Sequence, residues 1–344
     1  MNADEANALR FTGKEDNHYD LYFVTFNDLE SETGYWIRYT LYAPLRRLDR
    51  TYVEAWFTFF DRRAPEANFG LYERFPLGAL EHAAAPFRLA IGPNELTNGV
   101  CRGRREGSGH KARWDLRFEP QQVPFLHFPV SVYTTGQVVA ALLMTHYDTR
   151  FSGTIDVDGR RIELKGAPGE QGHTWGPKHA HHWLWAHCTH FEDSGAPAGL
   201  ELLSVPAKKD ATSKEPAHFV SVQLDGREHR LMSVFDRSKI VNDWRPGLWR
   251  IEAEGETLRV VAEVRARLED LAEGKYTDPD GEEFYCVACE VADLDARVYL
   301  RENSGAEWRP ARELRSRGTT HAEWGDWFPH PEVATKIIQI GEEP

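Results

Sequence analysis

The chain is poor in sulfur, with four cysteines and three methionines among 344 residues. Cys101 and Cys188 stand alone, while Cys286 and Cys289 form a CVAC inside the strand-like run FYCVACEV. A spacing of three sends those two thiols to opposite faces of a strand, and no second cysteine pair completes a zinc site. Reduced, structural thiols are therefore expected. Long apolar runs are missing too. The longest, Val138 to Met144, is far too short to span a bilayer, which argues against membrane insertion. Positive charge is in deficit: 41 Lys and Arg face 54 Asp and Glu, giving a net charge of −13. That balance argues against a non-specific grip on nucleic acid or anionic membrane. The opening residues, MNADEANALRFTGKED, have neither the basic start nor the apolar segment of a signal peptide, so a cytoplasmic location is expected. No Walker loop, no GxGxxG after a strand, no GxSxG elbow and no HExxH occurs. Phosphate, nicotinamide and flavin chemistry thus have no signature, and no cofactor is expected.

What the chain does have is alternation. HYDLYFVTF (18–26), YWIRYTLYA (35–43) and VEAWFTFF (53–60) are aromatic or apolar on both faces, so each needs cover on two sides, as in a barrel or sandwich. FSGTIDVDGRRIELKG reads as a hairpin turning at Asp158-Gly159, and HFVSVQLDGREHRLMSVF as another turning at Asp225-Gly226. WRIEAEGETLRVVAEVRARL (249–268) and the long run 277–301 alternate as well. Helical periodicity is weak and confined to 263–273, with a strand as the alternative there, parts of 64–82, and 309–317. Turns every eight to twelve residues with few helices predict a mainly β chain of two lipocalin-like (calycin) barrels or sandwiches. The polar, Gly-bearing stretch 192–199 is the natural boundary, giving domains 1–195 and 196–344. His173-Thr-Trp175-Gly176 has a faint echo in His321-Ala-Glu-Trp324-Gly325, as two related halves would produce.

Residues 166–191, GAPGEQGHTWGPKHAHHWLWAHCTHF, hold six of the fifteen histidines and three of the eleven tryptophans. From His182 a strand is expected, with Trp183, Trp185 and His187 on one face and Leu184, Ala186 and Cys188 on the other. Ahead of it the Gly and Pro residues predict a loop carrying Glu170, His173 and Trp175. Imidazole is the side chain best matched to proton transfer near neutral pH, and an indole face stabilises a developing cation. His173 and Trp175, with Glu170 or another carboxylate to orient the ring, are therefore the candidate catalytic set. A purely structural loop cap is the other reading. Trp36, Tyr39, Trp183, Trp185, His321 and Trp324 are the candidate lining of a hydrophobic ligand site, with packed core as the alternative. A metal on His173, His179, His181, His182, His187 and His190 lacks a carboxylate in facial-triad spacing, so none is expected.

The glycine-turned hairpin, the His173-x-Trp175-Gly176 segment, the Trp183/Trp185 strand and WIRYTLYAP (36–44) together resemble the carotenoid hydratase superfamily. That group includes hydroxyneurosporene synthases, lipocalin-like attachment proteins and decalin-forming cyclases, with tocopherol cyclases more distant. The resemblance implies paired lipocalin-like β domains with a ligand cleft near their junction. It implies cofactor-free hydration, cyclisation or isomerisation of an isoprenoid or polyene-like molecule, with His173 and Trp175 in the hydratase roles. The Tyr and Asp that complete the hydratase set have no match here: Asp225 is preceded by Val222 and Gln223, not by a tyrosine. A non-catalytic carrier of a hydrophobic small molecule is the alternative. The sequence carries no sign of oligomeric state.

Overall fold

The computed structural model describes residues 1–135, 140–180, 182–192, 195–206, 216–236 and 238–341. Two short helices, α1 (Ala3–Asn7) and α2 (Val130–Thr135), accompany an otherwise β chain. The first sheet holds β1 (His18–Asp28), β2 (Thr33–Ala43), β3 (Tyr52–Asp61), β4 (Phe69–Pro76), β5 (Leu80–Ala84), β6 (Phe87–Ile91), β7 (Asn94–Thr97), β8 (Val100–Gly107), β9 (His110–Phe118), β10 (Phe125–Leu126), β11 (Ala141–Val157) and β12 (Arg160–Gly176). The second holds β13 (Trp183–Cys188), β14 (Ala198–Pro206), β15 (Pro216–Leu224), β16 (Arg227–Met232), β17 (Lys239–Arg245), β18 (Leu248–Glu254), β19 (Leu258–Arg265), β20 (Ala272–Thr277), β21 (Glu283–Leu300) and β22 (Arg309–Asp326). The last strand, β23 (Ile337–Ile340), returns to the first sheet and pairs parallel with β4.

The first sheet curls around a core in which Tyr22, Val24, Phe26, Ile37 and Tyr39 face Leu89, Leu96, Trp114 and Leu116. Its opposite face carries Leu21, Phe23, Trp36, Trp56 and Phe60, and these join the core of the second sheet. All eleven residues of β2 are buried, as expected of a strand covered on two sides. The two sheets share a plan. In each, a long strand (β12 or β22) lies between its hairpin partner (β11 or β21) and the first strand of its sheet (β1 or β13). Gly176 pairs with Tyr19 in one, and Gly325 with Trp183 in the other. The sequence echo thus falls at equivalent positions.

Both expected turns form. Asp158 and Gly159 take φ of 52° and 83°, and Asp225 and Gly226 take 52° and 77°, the paired positive values of a tight two-residue hairpin. Three expectations are corrected. The 192–199 stretch connects β13 to β14, neighbours in one sheet, so the chain crosses between sheets earlier, between Gly176 and Trp183. Residues 166–176, expected as a loop, continue β12 without a break. Helices are absent from the described residues at 263–273 and 309–317, which belong to β19, a 3₁₀ turn, β20 and β22; residues 64–82 hold two 3₁₀ turns around β4.

The glycines that suggested a loop have sheet-level reasons. Gly166, at φ +74°, is the extra residue where pairing slips between Ser152–Lys165 and Phe151–Ala167, a β-bulge. A Cβ on Gly169 would overlap the Thr25 carbonyl, and one on Gly172 the Phe23 ring. These positions mark close approach of neighbouring strands, which reads in sequence like punctuation.

The Trp183 indole lies on the backbone of Gly325 in the same way, so that a Cβ there would overlap the ring. Replacing Gly325 by Ala is expected to cost about 1–3 kcal/mol through forced repacking. Urea unfolding of Gly325→Ala against the parent measures it, and an unchanged midpoint would contradict the packing described.

Candidate active site

β12 runs between the first core and the second sheet, and every residue from Ala167 to His173 is buried. Because side chains alternate along a strand, Glu170 and His173 point in opposite directions. Glu170 therefore does not orient His173, contrary to expectation.

His173 faces the first domain. Its Nδ1 lies 2.8 Å from the Ala6 carbonyl of α1 and its Nε2 3.0 Å from Asp20 Oδ1. The ring stacks on Tyr22, with centroids 4.1 Å apart, and Trp175 lies 4.7 Å away. Burial pulls His173 below its ordinary range, and Asp20 pulls it back. Asp20 is itself fully buried. Burial opposes its charge, but His173 and His18 hold it well below the usual carboxylate range, and the backbone N–H groups of Arg10 and Phe11 donate to it. Trp175 is half-buried beneath the Arg10 guanidinium, whose central carbon sits 4.5 Å from the ring centroid.

Glu170 faces the second domain and enters a denser network. Its Oε1 accepts from Thr25 and lies 2.6 Å from His321 Nδ1. Asn27 Nδ2 donates to the Glu290 and Gly318 carbonyls, which leaves its Oδ1 to accept from His321 Nε2 at 2.7 Å. Beside His321, His187 places Nε2 3.5 Å from Glu170 Oε2 and Nδ1 2.6 Å from Glu201 Oε2. Glu201 also receives His127 Nε2 at 2.7 Å and Trp185 Nε1 at 2.8 Å. All of these side chains are buried. Burial works against a charged His187, yet Glu170 and Glu201 outweigh it and push the imidazole up to about 9. Burial likewise opposes the Glu201 charge, but hydrogen bonds from His127 and His187 hold it at about 2. Glu170 Oε2 and His187 Nε2 are buried and hydrogen-bonded to nothing, and they face one another.

The expected ligand-lining residues separate into three places. Trp36, Trp183, Trp185 and His321 lie between the domains. Tyr39 belongs to the core of the first domain, with its hydroxyl on the Glu95 carbonyl, and Trp324 pairs opposite Leu184 on the inner face of the second. The histidines disperse as well. His179 pairs with Asp278, His182 with the Gly325 carbonyl, and His181 lies outside the described residues. No group of three His, Cys, Asp or Glu side chains suited to a metal ion occurs among the described residues. A groove of about 550 Å³ beside Arg104, Arg113, Asp115, Asp156 and Arg161 contains none of the expected site residues.

The tocopherol cyclase-like family profile matches residues 98–325, more than half of the chain. The chain belongs to that family. An uncharacterised protein found in two strains of Mycobacterium tuberculosis is 24% identical over 312 residues, covering 89% of this chain and 85% of that protein. Among solved structures, an AttH-type protein of Nitrosomonas europaea superposes with a TM-score of 0.55 at 14% identity, covering 92% of this chain and 96% of the other. Kievitone hydratase of Nectria haematococca gives 0.55 at 9% identity, with 94% and 92% covered. CghA gives 0.55 at 8% identity, with 90% and 88% covered. These likenesses carry the fold, a pair of lipocalin-like β domains. This family member also has no helix, among its described residues, long and apolar enough to cross a membrane.

Asp20, Asn27, His127, His187, Glu201 and Glu290 were not among the expected site residues. One signal was available for the acids: each interrupts a strand that is otherwise apolar, and a charge there must be paired or neutralised.

His187 makes a pH prediction. Its folded pKa lies above the ordinary 6.5, so its contribution is complete below about pH 6.5 and is lost as pH rises through about 9. Urea unfolding at pH 6, 7.5 and 9 is expected to show stability falling by a few kcal/mol across that window, on an order-of-magnitude basis. His187→Gln should flatten the dependence. An equal slope in parent and variant would contradict the pairing.

Proposed function

We propose that this protein is a cofactor-independent enzyme performing acid–base chemistry on a hydrophobic isoprenoid or polyene-like molecule between its two domains, with His187 and Glu170 as the working pair. One observation carries the reading. A ring nitrogen and a carboxylate oxygen, both buried and unsatisfied, face each other across 3.5 Å. A substrate atom brought alongside both would meet a proton donor and an acceptor at once, the pairing of groups that general acid–base catalysis uses. Tyr147 and Trp185 beside His187, with Phe23 against Trp185, supply an aromatic surround of the kind that stabilises a cation and excludes water. Family membership and the fold shared with a hydratase support the same class: hydration, cyclisation or isomerisation. A cytoplasmic location belongs to the reading.

The test is incubation of the protein in D₂O with a panel of prenylated phenols, polyprenyl alcohols and polyenes, followed by mass spectrometry and NMR. The expected result is a product that has gained water or deuterium, or an isomer. Glu170→Gln and His187→Gln should each slow its formation about 10²–10⁴-fold while remaining folded. A panel member bound and released unchanged would replace this reading with that of a carrier.

A second reading keeps the chemistry at His173 and Trp175, with Asp20 in the orienting role expected of Glu170. It is favoured by the partial exposure of Trp175 beside a carboxylate-paired imidazole. Loss of turnover in His173→Gln with full turnover in His187→Gln would select it.

A further inference from the structure

Glu290 is a carboxyl group with no counterpart in the site described so far. Its side chain is fully buried, and neither oxygen has a hydrogen-bond partner. Its position is built with care. On β21, Glu290 and Val291 stand opposite the single residue His321, because pairing runs from Cys289–Ala322 to Ala292–Thr320. Such a bulge re-aims side chains, and bulges concentrate beside active sites. Asn27 Nδ2 donates to the Glu290 carbonyl at 2.6 Å while Asn27 Oδ1 holds His321. From the first sheet, β2 approaches so closely that a Cβ on Gly34 would lie 2.5 Å from the Glu290 carbonyl oxygen. Residues of three strands thus fix one unpaired acid next to the Glu170–His321 pair.

The charges facing that carboxyl are of its own sign. Glu170 on β12 and Glu323 on β22 are the acidic neighbours whose fields reach it, and His321 on β22 and Asn27 on β1 are already engaged with Glu170 and with the Glu290 backbone. An ionised Glu290 would be a buried, unpaired charge between two other acids, which is prohibitively unfavourable. A neutral carboxylic acid, by contrast, has an O–H to give.

We propose that Glu290 is a neutral carboxylic acid that donates a hydrogen bond to an uncharged oxygen of the substrate. The site would therefore select hydrophobic molecules ending in a hydroxyl, carbonyl or phenol, and reject carboxylates and diphosphates. The proposal rests on the inter-domain acid–base reading and names its substrate class. Burial raises the Glu290 pKa well above the ordinary carboxyl value, and Glu323 and Glu170 raise it further, which agrees with the neutral form. The same acidic neighbours, Glu170 and Glu323, disfavour an anionic ligand.

Dicyclohexylcarbodiimide tests this directly, because this apolar reagent adds to protonated carboxyls in apolar surroundings. Peptide mapping by mass spectrometry after treatment of the folded protein at neutral pH should find one carbodiimide adduct on Glu290. The adduct should disappear in Glu290→Gln, with the fold checked by circular dichroism. Pre-incubation with farnesol should suppress labelling several-fold, whereas farnesyl diphosphate and farnesoic acid should not. Absence of an adduct at Glu290 in the native protein overturns the proposal, as does equal protection by the diphosphate or protection by none of the three. His187→Gln removes the acid–base pair but should leave labelling of Glu290 intact, so the two readings fail separately.

Discussion

The register of β12 between its two neighbours is the constraint on which the rest of the molecule depends. Thr25 pairs with Glu170 and Tyr22 with His173 across the β1–β12 ladder, so one strand presents a carboxylate to the second domain and an imidazole to the first. Each needs a partner, because removing one member of a buried pair costs several kcal/mol. Those partners lie on β1, β13 and β22. A slip of one residue would exchange the faces and send Glu170 into an aromatic core. The Glu170 network therefore fixes strand register and domain docking together. It ties Asn27 and Thr25 of one sheet to His187 and His321 of the other, through bonds that only one arrangement of the sheets satisfies.

Local chemistry in the sequence made much of this frame legible. Asp-Gly turns with positive φ, strands buried on both sides, and the alternation through Trp183, Trp185 and His187 are all properties of a few adjacent residues. What stayed hidden was set by neighbours distant in sequence. Gly169 and Gly172 read as loop residues because their reason for being glycine is the approach of β1, about 145 residues earlier in the chain. The 192–199 stretch read as a linker because a connection between paired strands and a domain boundary share the same composition. Charged runs at 263–273 and 309–317 suggested helices, but tertiary pairing along long β ladders overrides so weak a local preference.

The candidate site divides along the same line. Glu170, His173 and Trp175 were identifiable as titratable and aromatic residues in one short segment, yet spacing along a chain does not say which are neighbours in space. The alternation of β12 separates Glu170 from His173, and each finds its partner across the sheet. His321, chosen for an echo of the His-Trp-Gly motif, proves to touch Glu170 itself. Its match in the repeat is therefore no guide to its role: His173 turns into its own domain, whereas His321 turns out of its own toward the other. Divergence of two similar halves into one shared site fits that asymmetry.

The bonding of this network shows how it can be buried and still hold an exchangeable proton. His127, His187 and His321 make five close contacts to oxygen: the Leu142 and Asn27 oxygens, two on Glu201 and one on Glu170. Each buried carboxylate thus meets imidazole nitrogens at hydrogen-bonding distance, which makes its removal from water bearable. The sixth ring nitrogen, His187 Nε2, faces Glu170 Oε2 across the open 3.5 Å contact. A proton there takes no part in those five contacts. With His187 pushed up to about 9, that proton is present at neutral pH. Its release breaks none of the five close contacts. A buried frame that keeps its close contacts while a proton exchanges suits the proposed acid–base chemistry, and here that frame is also what holds the domains together.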